Sequence, residues 1–404
     1  MGTRRRTLGD VMTPPVYLDH AATTPMVPEA VEAMVEQLGR AANPSSLHAS
    51  GRAARRAVEE SRERVAAALG CRPGEVVFTS GGTEADNLAL KGLAWARRSQ
   101  DARRRRLLTT AVEHHAVLDP LEWLATAQDF VVEHLPVDAE GALDLDAVAR
   151  ALAEPDEVGL ISVMWANNEV GTVQPLPEVA AAAREHGVPV HTDAVQAVGV
   201  LPVDFAASGV EAMSVSAHKV GGPHGVGALV VRRDLELAPL LHGGGQERDV
   251  RSGTLDTPAV VGFAVALELA VVRREQHAAH LAALRARLVE GLRRVVPDVV
   301  LNGPDAPEWD TRRLPGNVHV SFPGCEGDSL LMLLDARGIE CSTGSACSAG
   351  VPQASHVLLA MGRDDDAARS SLRFTLGRPS SETDVDAVLD AIGPAVERAR
   401  AARL

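Results

Sequence analysis

Apolar positions along this chain alternate between two textures. Short apolar or β-branched runs at Glu75–Thr79, Arg106–Thr110, Phe130–His134, Val158–Val163, Val188–Thr192, Ala212–Ser216 and Gly227–Val231 read as strands. Around them, Glu29–Leu38, Arg52–Leu69, Thr83–Arg97 and Glu178–His186 place apolar residues at helical spacing. Seven strands separated by helix-length crossovers predict an α/β fold with a mostly parallel seven-stranded sheet and helices on both faces. After Pro258 the pattern changes. A long Ala/Leu/Arg helical stretch over Ala259–Val295 leads to a strand at Asn317–Phe322, a helix at Asp328–Arg337 and a loop over Cys341–Gly350. A strand at Ser371–Thr375 and a closing helix from Ser381 follow. This predicts a large domain over 28–258 and a smaller α+β domain formed by 1–27 and 259–404.

Composition narrows the class. The 404 residues exceed one ordinary core and suit a large domain plus a smaller one. Only 3% are aromatic, so the core must be built from Ala, Val and Leu. The net charge of −14 argues against direct nucleic-acid binding, and Arg103–Arg106 reads as a solvated turn or helix end. Cys71, Cys325, Cys341 and Cys347 lack zinc-site spacing, so no metal is expected. No apolar run has transmembrane length, and no charged-then-apolar leader is present, which predicts a cytoplasmic protein with reduced thiols.

Lysine is the first chemical clue. The chain has two, Lys91 and Lys219, against abundant arginine. Arginine stays protonated, whereas lysine can become a nucleophilic amine able to form a Schiff base. Lys91 reads as a solvent-facing charge within a helix. Lys219 ends the strand-derived Ser214-Val-Ser-Ala-His-Lys and precedes Val220-Gly-Gly-Pro, a position open to a functional amine or to a structural ion pair.

Three further elements end strands. Ser80-Gly-Gly-Thr-Glu-Ala-Asp-Asn87 follows a strand and opens a helix, where backbone amides can hold a phosphate. It also suits a plain Gly-rich turn, with Thr83 and Asp86 as a capping pair. His191-Thr-Asp-Ala-Val-Gln196 places Asp193 at the sheet crest, as a partner for a protonated ring nitrogen or as a helix cap. Glu113-His114-His115 offers an imidazole to stack on a flat group or to face solvent.

Taken jointly, these segments resemble the fold-type I pyridoxal-phosphate enzymes of the class V aminotransferase branch, in particular NifS/IscS-type cysteine desulfurases. The resemblance runs from about Tyr17 to Arg378 and also rests on Tyr17-Leu-Asp-His-Ala-Ala-Thr-Thr-Pro25, Asn167-Asn168-Glu169-Val-Gly171, Gly243-Gly-Gly-Gln-Glu-Arg248, Arg251-Ser-Gly-Thr254, Ser345-Ala-Cys347 and Arg373-Phe-Thr-Leu-Gly377. It implies that Lys219 carries pyridoxal 5′-phosphate, Asp193 pairs with the ring nitrogen, Gln196 reaches the ring hydroxyl and His114 stacks on the ring. It further implies that Gly82, Thr83, Ser216 and His218 hold the phosphate, with Thr254 supplied by the neighbouring subunit of a homodimer. Asn168 also faces the cofactor and, with Arg373, positions the L-cysteine substrate.

The resemblance makes Cys347 the sulfur-accepting nucleophile, in the small-residue stretch Ser342-Thr-Gly-Ser-Ala-Cys-Ser-Ala-Gly350. Cys71, Cys325 and Cys341 read as structural. Thr343 stands where the family commonly has serine, and Ser-Ala-Gly-Val-Pro-Gln follows the nucleophile. The implied reaction yields L-alanine and a Cys347 persulfide for acceptor proteins serving iron–sulfur cluster assembly, tRNA thiolation or related sulfur transfer. Two rival readings are an aminotransferase or lyase of the same fold and a catalytically idle sulfur-relay subunit.

Overall fold

The structure, a computed structural model, describes residues 15–307, 310–344 and 354–403. The chain enters through the short strand β1 (Val16–Tyr17), then helices α1 (Pro28–Leu38) and α2 (Ala49–Leu69). Next come β2 (Val76–Thr79), α3 (Gly82–Gln100), β3 (Arg106–Thr110), α4 (His115–Gln128), β4 (Val131–Leu135), α5 (Leu145–Ala151) and β5 (Val158–Ser162). They are followed by α6 (Leu176–Glu185), β6 (Val190–Asp193), α7 (Phe205–Ser208), β7 (Ala212–Ser216) and β8 (Gly227–Val231). The C-terminal portion contains α8 (Thr257–Val272), α9 (Arg274–Val295), β9 (Val300–Leu301), β10 (Asn317–Ser321), α10 (Gly327–Asp335) and β11 (Ile339–Glu340). It ends with α11 (His356–Ala360), α12 (Asp365–Arg369), β12 (Ser371–Thr375) and α13 (Glu382–Arg403).

The seven strands expected from the apolar runs form one sheet in the order β2-β8-β7-β6-β5-β3-β4. Strand β8 is antiparallel to both its neighbours, and the other pairs are parallel. Strands β5 to β8 are buried along their whole length, as near-continuous apolar runs covered on both faces require. Two apolar clusters flank this sheet. One unites Phe78, Ile161 and Met213 with Phe263, and the other unites Leu88, Leu93, Leu121 and Leu229.

A separate cluster surrounds the small antiparallel sheet β12-β10-β9, with Leu288, Leu292, Phe322, Leu334, Phe374 and Ile392 at its centre. Leu18, next to β1, belongs to this cluster too, because β1 pairs with β11 and Thr375 donates its amide to the Leu18 carbonyl.

Two expectations change. The helical stretch over Ala259–Val295 is two helices that break at Arg273. The first half, α8, is apolar nearly all round, packs on α1 and α2, and gives Val260, Phe263, Ala264 and Leu267 to the large-sheet cluster. We retain the division into two domains as a proposal, and the packing of α8 moves its boundary from 258 to about Arg273. Lys91 is also not simply solvated, since its Nζ lies 4.6 Å over the Trp123 ring. The basic run is paired with carboxylates: Arg103 with Asp101 and Asp156, Arg105 with Asp129, and Arg106 with Glu133. Among the described residues, no helix is long and apolar enough to cross a membrane, and no group of His, Cys, Asp and Glu is arranged to hold a metal ion.

Candidate active site

The parallel strands end at one edge, and their carboxyl-terminal loops converge on a cavity of about 240 Å³. Gly82 and Thr83 reach it from the start of α3, His114 from the turn after β3, and Asn168 from the loop after β5. Asp193 and Gln196 arrive from the end of β6, and Ser216, His218 and Lys219 from the end of β7. The structure thus brings together nine of the residues singled out in the sequence. Thr254 is not among the lining residues and is exposed. Cys347 lies outside the described residues.

The carboxylate end of the cavity is buried and crowded. Asp193 accepts from the Val195 amide at 2.8 Å, so one oxygen does cap the turn, while burial pushes its pKa up to about 6 against the opposing pull of Lys219. Asp86 was expected to cap α3 with Thr83. It lies instead inside the protein, since the helix N-cap is Gly81 and makes no side-chain cap. Asp86 Oδ1 lies 3.5 Å from His191 Nε2, and burial, then the nearby Asp193, pushes its pKa well above the ordinary carboxylate range. His191 bridges Ser162 at 2.9 Å and Ser214 at 3.0 Å, and burial draws its pKa down to about 3. Glu113 accepts from the Met164 amide at 2.9 Å and the Thr110 hydroxyl at 3.0 Å, and burial raises its pKa to about 8. This layer is not legible along the chain, because Asp86, Glu113 and His191 belong to three separate segments.

The imidazoles at the cavity are neutral near pH 7. His114 caps α4 by accepting from the Ala116 amide at 3.1 Å, and its pKa falls to about 4 through burial and then the charge of Lys219. His218 is lowered to about 4 for the same two reasons, with His224 adding to them. Lys219 donates from Nζ to the carbonyls of Ala21 and Ala22, the latter at 2.9 Å. Gln196 Nε2 also donates to Ala21, at 3.0 Å.

Arg373 on β12 is not among the lining residues; it donates to the Asn168 carbonyl at 3.0 Å and to the Asp19 carboxylate at 2.8 Å. Its backbone exchanges hydrogen bonds with Ser342, at 3.1 and 2.6 Å. The remaining cysteines are poor nucleophiles, as expected of structural thiols. Cys325 is buried, and burial pushes Cys71 and Cys341 up to about 12.

These residues fit pyridoxal 5′-phosphate. The first-turn amides of a 19-residue helix, with the Ser216 hydroxyl and His218, form an anion cradle. Within the same cavity, buried Asp193 can hold a ring-nitrogen proton, and Lys219 supplies the amine. Fold and donor set together define a pyridoxal-phosphate-dependent enzyme of the α/β class.

Comparison with known proteins makes this specific. Residues 16–388 match the family model described as aminotransferase class-V. The chain is 58% identical to an IscS-like cysteine desulfurase of Mycobacterium tuberculosis over 388 residues, 96% of this chain and 98% of the relative. A solved NifS-like protein superposes with a TM-score of 0.87 at 36% identity, covering 95% of this chain and all of the other. A solved structure of SspA in complex with cysteine gives 0.76 at 35% identity, covering 89% and 98%. The chain belongs to the class-V aminotransferase family.

Proposed function

We infer that this chain is a cysteine desulfurase, removing sulfur from L-cysteine to give L-alanine and a persulfide on Cys347. The observation that carries the inference is the position of Arg373. Its guanidinium donates to the backbone carbonyl of Asn168, a residue that lines the cavity, and its backbone is hydrogen-bonded to Ser342, which in the sequence begins the stretch holding Cys347. Arg373, the expected carboxylate clamp, thus stands beside the residue that starts that stretch. A plain aminotransferase has no use for that segment.

Bound pyridoxal 5′-phosphate supplies an electron sink for charge developing at the substrate α-carbon. Asp193 keeps a proton on the ring nitrogen, helped by the low dielectric that burial provides. Gly82, Thr83, Ser216 and His218 would hold the phosphate, Gln196 would reach the ring hydroxyl, and His114, a neutral imidazole, would stack on the ring. The Arg373 fork orients the substrate carboxylate. Lys219 Nζ, as the free amine, takes and returns the α-proton. The Cys347 thiolate attacks the substrate sulfur. The Cβ–S bond breaks, a new S–S bond forms on Cys347, and the carbon skeleton gains a proton to become alanine.

We further propose a homodimer in which Thr254 completes the neighbouring subunit's phosphate site, a reading supported by its exposure outside its own cavity. Sulfur-acceptor proteins for iron–sulfur cluster assembly or tRNA thiolation would take the persulfide, in the cytoplasm, where thiols stay reduced. The test is Cys347→Ala. We expect alanine formation from cysteine to fall to background while the cofactor's visible absorbance is unchanged. Full cysteine turnover in that variant would overturn the reading.

A further inference from the structure

The turn that opens α3 is built to leave amides free. Its N-cap, Gly81, makes no side-chain cap hydrogen bond, so amides of the first turn remain for an anion. Gly81 has φ of 148°, a conformation that side chains rarely adopt, and a turn of two glycines has no side chain of its own to hold it. Its neighbours hold it instead. The Thr79 hydroxyl donates to the Gly81 carbonyl at 2.9 Å, and Glu84 Oε2 accepts from the Ser80 amide at 2.8 Å. Glu84 is the third residue of α3, a position from which a carboxylate ordinarily reaches back to the N-cap amide. Here it reaches one residue further and ties Ser80 to the first turn.

This arrangement places a second anion at the same helix end. The dipole of α3 favours negative charge there, so the Glu84 carboxylate competes with an incoming phosphate. Arg251 answers that charge. Its Nε donates to Glu84 Oε1 at 2.7 Å and its Nη2 to Glu84 Oε2 at 3.3 Å, a two-point contact across 167 residues of chain. Both side chains are 17% exposed, so solvent screens the pair less than it would a surface pair. Burial opposes ionisation of Glu84, but the hydrogen bonds from Arg251 and Ser80 outweigh it and hold the carboxyl below its ordinary range. The guanidinium comes from a fixed segment, since Ser252 donates its amide to the Leu241 carbonyl and Gly253 donates its amide to the Gln246 side chain at 2.9 Å.

We propose that Glu84 and Arg251 are positioning residues for the cofactor phosphate: Glu84 fixes the Ser80-Gly81-Gly82 turn through the Ser80 amide, and Arg251 neutralises the carboxylate that would otherwise repel the phosphate. Neither residue lines the cavity, so both act through the turn. The proposal rests on the placement of the phosphate at Gly82 and Thr83.

The test is absorbance titration of the cofactor-free full chain with pyridoxal 5′-phosphate and with pyridoxal, which lacks the phosphate. Arg251→Gln leaves the Glu84 charge uncompensated. It should weaken pyridoxal 5′-phosphate binding about tenfold and leave pyridoxal binding within about twofold of wild type. Adding Glu84→Gln to Arg251→Gln should recover most of the loss, because the repelling charge is gone and the amide oxygen can still accept from Ser80. Glu84→Ala removes the tie and should cost about tenfold for pyridoxal 5′-phosphate, with Glu84→Gln restoring the affinity.

No loss in Arg251→Gln, an equal loss for both ligands, or a double variant that binds no better than Arg251→Gln would overturn the proposal. Should Arg251→Gln fail to fold, Glu84→Ala against Glu84→Gln decides. Thr83→Val separates the proposal from its premise. If Thr83→Val weakens only pyridoxal 5′-phosphate and Arg251→Gln does not, the pair fails and the phosphate placement stands. If neither variant discriminates between the two ligands, the placement falls and the proposal with it.

Discussion

Arg62 and Glu247, both buried, are joined by two hydrogen bonds of 2.6 and 2.8 Å between α2 and the segment that leads to Thr254. Glu247 also accepts from the Phe78 amide at 2.7 Å. These bonds hold a strained turn, because Glu247, Arg248 and Asp249 have φ of 46°, 61° and 62°, a left-handed run that side chains with a Cβ disfavour. Removing one partner leaves a buried charge uncompensated. Glu247→Ala should therefore cost about 3–5 kcal/mol in urea unfolding. A loss below 1 kcal/mol would mean the turn does not depend on the pair.

Gly227 begins β8 where the sheet backbone passes under the phosphate turn. A Cβ there would lie 2.5 Å from the Val215 carbonyl oxygen and 2.8 Å from Gly81 Cα, both backbone atoms. Gly227→Ala must displace the Gly81 turn, and overpacking of this kind costs about 1–3 kcal/mol. We expect cofactor affinity, titrated by its visible absorbance, to fall about tenfold or more. Unchanged affinity would show that the turn yields freely.

Glu113 gives the cofactor-free protein a pH signature. Its pKa rises from an ordinary 4.5 to about 8 on burial, so the folded state binds this proton where the unfolded chain has released it. The stabilisation is full below about 4.5 and is lost as pH rises through about 8. Thermal stability should fall across that window by an amount on the order of a few kcal/mol. Glu113→Gln should flatten the slope, and an identical slope in the variant would remove Glu113 as its source.

Arg373→Lys tests the substrate clamp. The guanidinium fork bonds Asp19 and Asn168 at once, a geometry that a lysine ammonium cannot reproduce. We expect KM for cysteine to rise on the order of tenfold to a hundredfold with cofactor absorbance retained. A change confined to kcat would assign Arg373 to the chemistry rather than to carboxylate binding.

The sheet was legible because its inner strands β5 to β8 are buried on both faces and read as short apolar runs. Ala212–Ser216 and Gly227–Val231 fall on the observed bounds of β7 and β8. Gly82, Thr83, Asp193, Ser216 and Lys219 stand beside strand ends, where topology delivers ligands, so local pattern pointed to them. The break at Arg273 leaves no signal in the sequence, because neither proline nor glycine marks it and helical propensity runs through it unbroken.

The sequence by itself determined the seven-stranded sheet, the scarcity of lysine and the chemical character of the strand-end loops, since each depends on local periodicity and residue type. Only the tertiary structure decided that Asp86, Glu113 and His191 share one buried layer behind Asp193, and that Arg62 and Glu247 lock the turn before Thr254. It also decided that the Nε2 atoms of His20 and His277 are buried without a hydrogen-bond partner among the described residues. Those pairings join residues distant in the chain, and a buried charge or orphaned nitrogen is defined by the neighbours that folding brings to it.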